Sequence, residues 1–126
     1  MSKNSLDVVR ETVRKDGFFE VVVASVSDWD EALDRRDAAV FDKAWSSAFE
    51  KLKALEYSSA EDEVAVNEIR EFVFKKVHSL TASSDIASYI SDDMGLVADS
   101  YLKSCDIEWV KNYLRFIAEG GFLVSV

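Results

Sequence analysis

The residue types that most often perform chemistry are scarce in this chain. His78 is the single histidine and Cys105 the single cysteine. A metal site built on one histidine needs a carboxylate three or four residues away, whereas the positions at those distances from His78 hold Phe, Lys, Thr and Ala. A nucleophilic cysteine needs a base, and His78 is the sole histidine that could serve. We therefore interpret both residues as structural, and we expect no metal site.

The glycines do not form a phosphate-binding loop or a nucleophile motif. The chain has four glycines, at positions 17, 95, 120 and 121. None falls into the spacing of a dinucleotide or nucleoside triphosphate loop, or into that of a hydrolase nucleophile elbow. With no catalytic residue set and no cofactor motif, the sequence predicts a protein that is not an enzyme and that needs no cofactor.

The carboxylates are the remaining candidates for acid–base or metal chemistry. Asp92 and Asp93 are adjacent, but neighbouring residues of a helix point about 100° apart and rarely share one ion. We interpret the pair as the first turn of a helix capped by Ser91, where the helix dipole favours anions. The alternative is an enzyme that uses Asp92, Asp93 and Asp99 with a metal, which a metal analysis of the purified protein would detect.

Acidic residues are concentrated in parts of the chain. The formal net charge is −9, from 24 acids and 15 bases, which argues against nucleic acid as a partner of the surface as a whole. Residues 16–34 contain six acids and no base. Such an excess indicates either an ordinary solvated surface or a surface that attracts a basic protein partner.

One tryptophan lies among these acids, in the segment Asp28-Trp29-Asp30-Glu31. An aromatic side chain surrounded by acids suits an anchor for a basic partner, although a place in the core is the favoured interpretation of Trp29. The predicted partner-binding residues are Asp28, Trp29, Asp30, Glu31 and Asp34 in this segment, and Asp92, Asp93 and Asp99 in a second one.

The elements that must position these residues are predicted to be helices. A chain of 126 residues suffices for one domain, over 1–126. The absence of proline and the four glycines argue against a sandwich or barrel, which needs many turns. Apolar residues recur at helical spacing, with Asp37 as a candidate N-cap. The predicted helices cover 5–16, 18–34, 38–55 and 60–80, and shorter ones start at Ser84, Ser91 and Asp106. The predicted fold is all-α, a single compact domain of five to seven helices.

The segment 18–34 allows a second interpretation. Its apolar residues share one helical face, while the run Val21-Val22-Val23 has strand propensity. No Gly, Pro or Asn lies between 18 and 36 to turn a hairpin, which favours a helix.

The most apolar run, 18–26, is shorter than the roughly 20 residues of a membrane helix, and the N-terminus lacks the apolar stretch of a secretion signal. We expect a cytoplasmic protein without membrane contact.

Three segments of the last third carry a family resemblance. They are ISDDMGLVAD at 90–99, DIEWV at 106–110 and GGF at 120–122. With them the chain resembles the small acidic immunity proteins of bacterial contact-dependent growth inhibition and polymorphic toxin systems. The resemblance implies a protein that binds a cognate toxin domain, often a basic nuclease, and blocks it by occlusion. The residues alone leave a helical adaptor or regulatory protein with another basic partner as the alternative.

Overall fold

The computed structural model describes residues 5–124, and within that range it consists of seven helices without a strand. The prediction of an all-α fold is confirmed. No helix of the described residues combines the length and the apolar character needed to cross a membrane. The helices are α1 (Ser5–Arg14), α2 (Phe18–Ala24), α3 (Trp29–Arg36), α4 (Ala39–Lys53), α5 (Ala60–Thr81), α6 (Ser84–Leu102) and α7 (Glu108–Ala118).

Helix α6 forms the centre of the fold. It packs along α5 over most of its length and also contacts α1, α4 and α7. The sequence predicts two helices here, the second capped by Ser91, and this division is wrong. Ser91 is buried, and its hydroxyl donates to the Arg70 carbonyl at 2.9 Å. Because that bond links two packed helices, Ser91 continues α6 instead of starting a new helix.

The segment 18–34 is helical, as the sequence predicts, but it forms two helices instead of one. The break lies between α2 and α3. The Ser25 hydroxyl donates to the Val22 carbonyl at 2.6 Å, and Asp28 accepts the backbone N–H of Glu31 at 3.1 Å. These side chains satisfy backbone groups at the two helix ends, so the chain can turn without glycine or proline.

Two predicted N-caps have other roles. Asp37 does not cap α4, whose N-cap is Ala38; it follows α3 instead and accepts a short hydrogen bond from the Tyr89 hydroxyl. Asp106 does not cap α7 and forms an ion pair with Lys111 at 2.7 Å. In both cases the carboxylate interacts with another side chain and does not cap the following helix.

The two ends of the described chain pack against the body. Gly17 and Gly120 have φ of +77° and +93°. In this left-handed conformation Gly120 follows the C-cap of α7, and Gly17 is the N-cap of α2, three residues after the end of α1. At the C-terminal end Phe122 is buried, and Leu123 and Val124 are half-buried against the core. The predicted cap by the Ser5 side chain and the last two residues, 125–126, lie outside the description.

Candidate partner-binding surface

Helix α3 presents four acids to solvent, which we call the α3 acidic face: Asp28, Asp30, Glu31 and Asp34. All four side chains are exposed. Within residues 5–124 none of them forms an ion pair. Asp28, Asp30 and Glu31 lie at the N-terminal end of the helix, where its dipole favours them, and Asp34 lies near the other end, beside Arg35 and Arg36. Four carboxylates without an ion pair on one short helix make a local negative field.

Trp29 connects the α3 acidic face to the core. Its ring lies 5.0 Å from the ring of Phe122, and it packs against the core cluster as a half-buried residue. Its indole N–H is buried without a hydrogen-bond partner among the described residues. Trp29 therefore takes the place that the core interpretation assigned to it, and only its exposed edge is free to contact a partner.

The second predicted acidic group, Asp92, Asp93 and Asp99, lies in the middle of α6. Asp92 accepts a hydrogen bond from Arg70 at 2.6 Å, and Asp99 accepts one from the Tyr57 hydroxyl at 2.5 Å. Asp93 is 1% exposed. The interpretation of Asp92 and Asp93 as a solvated helix start is therefore wrong. The spacing of seven residues puts Asp92 and Asp99 on one face, and the core encloses Asp93.

Asp93 forms a buried ion pair with Arg36, the last residue of α3. Arg36 Nη2 lies 2.6 Å from Asp93 Oδ1, and the Trp45 indole N–H donates to the same oxygen at 2.9 Å. The guanidinium carbon lies 4.4 Å from the ring centroid of Phe41 and 4.8 Å from that of Phe122. These ring faces attract the cation, so Arg36 ties α3 to α4, α6 and the C-terminal segment.

The cluster around Asp93 is not fully satisfied. Burial raises the pKa of Asp93, and the Arg36 charge offsets only part of this rise. The Tyr113 hydroxyl also acts on Asp93 and lowers its pKa, although it makes no well-formed hydrogen bond. Burial first, and the charge of Asp93 second, raise the pKa of Tyr113 well above its ordinary value. Asp93 Oδ2 and two guanidinium nitrogens of Arg36 have no partner among the described residues.

A groove of about 600 Å³ runs between α4, α5 and α6, which we call the α4–α6 groove. Its aromatic side is formed by Trp45 and by Phe49, which is 39% exposed, and their rings stack at 5.5 Å. Its polar side contains the Arg70–Asp92 ion pair and the Tyr57–Asp99 hydrogen bond. The groove thus combines exposed aromatic surface with polar groups held in fixed positions.

Lys103 lies at the Tyr57 end of this groove and contacts both Tyr57 and the end of α4. Its ammonium group lies 4.2 Å from the Tyr57 ring centroid and donates to the Leu52 carbonyl at 2.9 Å, at the end of α4. Burial, followed by the hydrogen bond to Asp99, raises the pKa of Tyr57. The hydroxyl therefore remains a neutral donor to Asp99 through the physiological range.

A smaller cavity of about 230 Å³ adjoins the groove, which we call the α3–α4–α6 cavity. It lies where α3 ends, and it shares Trp45 and Asp92 with the groove. Tyr89 and Asp42 also line it. Through this cavity the C-terminal end of α3, at Arg36 and Asp37, meets the α4–α6 groove.

No group of three metal-ligating side chains comes together among residues 5–124. His78 is exposed and stacks on Phe74 with a ring-centroid distance of 5.9 Å. Cys105 is half-buried and carries no disulfide. The residues that line the cavity at Cys105 come from the segment 97–114 and do not include His78.

The sequence did not point to Arg36, Phe49 or Tyr57. Phe49 belongs to the apolar stripe of α4, yet it is 39% exposed and lines the groove. Tyr57 follows α4 in an irregular segment that carries no motif. The approach of Arg36 to Asp93, 57 residues away, has no local signal. The one sequence feature that could have suggested an ion pair for Arg36 is its position next to the acidic segment 28–34.

Comparison with known proteins gives one finding. A protein-family model described as "Immunity protein PIM1" matches residues 8–122. The match covers the α3 acidic face, the α4–α6 groove and all of α6. No protein in the curated set matches the chain.

Proposed function

The chain belongs to the family of immunity protein PIM1, and from that premise we propose that it neutralises a toxin domain by stoichiometric binding. An immunity protein of this kind covers the working surface of its toxin and performs no chemistry. The proposal therefore requires no catalytic residue, metal or cofactor in this chain. It requires a surface whose shape and charge suit the toxin.

The α3 acidic face is the observation that carries this proposal. Like charges that are left unpaired on one helix repel each other. A basic partner would be attracted to these acids and would compensate their charge. A nuclease must present cations to the phosphate backbone of its substrate. We therefore propose that the toxin domain is basic and of the nuclease type. Opposed fields of this kind raise association rates to about 10⁸–10⁹ M⁻¹s⁻¹ at low salt.

The α4–α6 groove supplies the second part of the proposed interface. The exposed Phe49 and the half-buried Trp45 are aromatic side chains, and aromatic residues contribute much of the binding free energy when a partner excludes water from them. The Arg70–Asp92 and Tyr57–Asp99 pairs hold the groove's polar groups in place before binding, which lowers the entropy cost of association. In this proposal Asp93 touches no partner atom and positions Arg36 and Trp45.

The proposed setting is the bacterial cytoplasm. The resemblance to proteins of contact-dependent growth inhibition implies a toxin domain that enters from a neighbouring cell. An inhibitor must then be present in the cytoplasm before the toxin arrives. Fast association matters in that setting, because a catalytic toxin damages its substrate for as long as it remains free.

The proposal is tested by co-expression with the toxic protein encoded beside this gene. We expect the immunity protein to restore growth and to form a one-to-one complex, measured by size-exclusion chromatography with light scattering. A variant with a neutralised face, Asp30→Asn/Glu31→Gln/Asp34→Asn, should protect less well at low expression. The matched control, Glu68→Gln/Glu108→Gln/Glu119→Gln, removes the same charge from exposed positions elsewhere and should protect fully. Absence of both protection and a complex with the wild-type chain would overturn the proposal.

A further inference from the structure

The α3–α4–α6 cavity has the dimensions of a single side chain. Its volume of about 230 Å³ lies below the roughly 300 Å³ at which small-molecule pockets begin. It opens between the end of α3, the first turns of α4 and the middle of α6. A peptide segment or a cofactor would not fit, whereas one long side chain from a bound protein would.

The charge of the cavity wall favours a cation. Four carboxylates line it, those of Asp37, Asp42, Asp92 and Asp93, against the single guanidinium of Arg36. Asp37 and Asp92 each accept a hydrogen bond from a neighbour. The Asp42 carboxylate is exposed and makes no hydrogen bond or ion pair with the described residues 5–124. An entering cation would thus find one carboxylate without a competing partner.

A second, independent feature of the wall also calls for positive charge. Asp93 is 1% exposed, and its Oδ2 atom has no hydrogen-bond partner among the described residues. Burial of a carboxylate is costly unless its charge is compensated, and burial raises the pKa of Asp93 even though Arg36 adjoins it. Arg36 already pairs with Asp93 Oδ1, and a cation in the cavity that Asp93 lines would add to this compensation.

The aromatic part of the wall favours a planar cation. Phe41, Trp45 and Tyr89 line the cavity. The guanidinium of Arg36 already lies over Phe41 and Tyr89, with its central carbon 4.4 Å and 5.5 Å from their centroids. A guanidinium is flat, weakly hydrated and able to donate two parallel hydrogen bonds to a carboxylate, whereas an ammonium group is compact and strongly hydrated. The same rings and acids would therefore accept a second guanidinium more readily than a lysine.

We propose that the α3–α4–α6 cavity receives an arginine side chain of the partner protein, which packs against the aromatic wall and donates to the Asp42 carboxylate. This inference rests on the proposed function, since the arginine belongs to the toxin domain. It assigns the acidic face and the cavity different tasks: the face attracts the basic partner at a distance, and the cavity holds one of its side chains.

The test uses a small probe and the full chain, without the toxin. The probe is N-acetyl-arginine N-methylamide, and the readout is the indole N–H signals of the three tryptophans in ¹H–¹⁵N NMR spectra. We expect a saturable shift of the Trp45 signal, with a dissociation constant on the order of millimolar. The signals of Trp29 and Trp109 should stay in place. The corresponding citrulline derivative, which has the same shape without the charge, should leave all three unchanged.

Two variants sharpen this test. Asp42→Asn should weaken probe binding about tenfold, because a hydrogen bond to a charged acceptor is lost. The matched control, Glu68→Gln, removes one charge from an exposed position outside the cavity and the α3 acidic face and should leave the affinity unchanged. Equal shifts with the citrulline probe, equal shifts of all three tryptophans, or an Asp42→Asn variant with unaltered affinity would overturn the inference. If protection by the wild-type chain persisted, such a result would overturn the cavity assignment alone.

Discussion

The acidic segments 28–34 and 92–99 look alike in the sequence but have opposite environments in the structure. The first lies on a short helix at the edge of the fold, with its carboxylates in water and unpaired. The second lies on the central helix, where each acid has its own partner from another part of the chain. The partners are Arg70 for Asp92, Arg36 for Asp93 and Tyr57 for Asp99.

The difference follows from the position of each helix, and it separates two tasks. Helix α3 exposes most of its surface, so water solvates its acids at no cost to folding. Helix α6 is packed on nearly all sides, and a carboxylate there must be hydrogen-bonded or paired. The acids of α3 are therefore free to attract a partner, while those of α6 hold helices together and shape the groove and the cavity.

The largest effect is expected at Asp93. The change Asp93→Asn leaves the Arg36 guanidinium buried without a counter-charge, which we expect to cost about 3–5 kcal/mol of unfolding free energy. Urea denaturation followed by far-UV circular dichroism measures it. If Asp93→Asn cost no more than Asp34→Asn, the two acidic segments would not differ as described.

A double variant separates the charge from the packing at this site. Replacing both partners, as Arg36→Met/Asp93→Leu, removes the uncompensated charge, and buried ion pairs replaced in this way are often neutral in stability or gain about 1–4 kcal/mol. We expect the double variant to recover most of the loss in the same urea experiment. A double variant as unstable as the single one would show that packing, and not charge, makes Asp93 necessary.

A smaller effect is expected at Tyr57. The change Tyr57→Phe removes the hydrogen bond to Asp99, which we expect to cost about 1.5 kcal/mol, at the low end for a charged acceptor because the hydroxyl is only half-buried. The control is Tyr101→Phe, whose side chain is exposed. Equal stability of the two variants would mean that Asp99 resembles the α3 acids.

The link between the two regions should respond to alkaline pH. The hydrogen bond to Asp37, followed by burial, raises the pKa of Tyr89 to about 12, whereas an unfolded tyrosine titrates near about 10. The folded state holds this proton more tightly, so its contribution to stability is complete below pH 10 and is lost as the pH rises towards 12. Urea denaturation between these limits should show a smaller decline for Tyr89→Phe than for the wild type. An identical decline would contradict the linkage.

The smallest effect on folding is expected at the α3 acidic face. The variant Asp30→Asn/Glu31→Gln/Asp34→Asn should change the unfolding free energy by less than about 1 kcal/mol, and a gain is the favoured direction because like charges are removed. Asp28 stays in place because it caps the helix. A large loss in the same denaturation experiment would show that these acids support the fold.

The sequence predicted the parts of the fold that local periodicity determines. The stripes of α4 and α5 indicated their helices within a few residues, and the glycines at 120 and 121 follow the end of α7. The N-cap signal of α3 was also local, in the spacing of Asp28 and Glu31, but the continuous apolar face over 18–34 concealed it.

The remaining features depend on contacts between distant residues. Ser91 is of a residue type that often caps helices. Its hydroxyl instead bonds to the Arg70 carbonyl, because α5 packs against α6 at this point. Gly95 is a residue type that weakens helices, yet α6 continues through it. A Cβ at this position would lie 2.8 Å from the Arg70 side chain, so the close approach of α5 favours glycine here. The burial of Asp93 likewise follows from packing between helices that are distant in the sequence, so a short sequence segment does not reveal it.

The proposed role of the acidic face is tested most directly by association kinetics with the toxin domain, measured by stopped flow across a range of salt concentrations. We compare the wild type, the neutralised α3 variant and the Glu68→Gln/Glu108→Gln/Glu119→Gln control. The α3 variant should associate at least about tenfold more slowly at low salt, approach the wild-type rate at high salt, and dissociate at the wild-type rate. The control should behave as the wild type. An α3 variant with unchanged association rate and unchanged salt dependence would contradict an acidic face that steers the toxin.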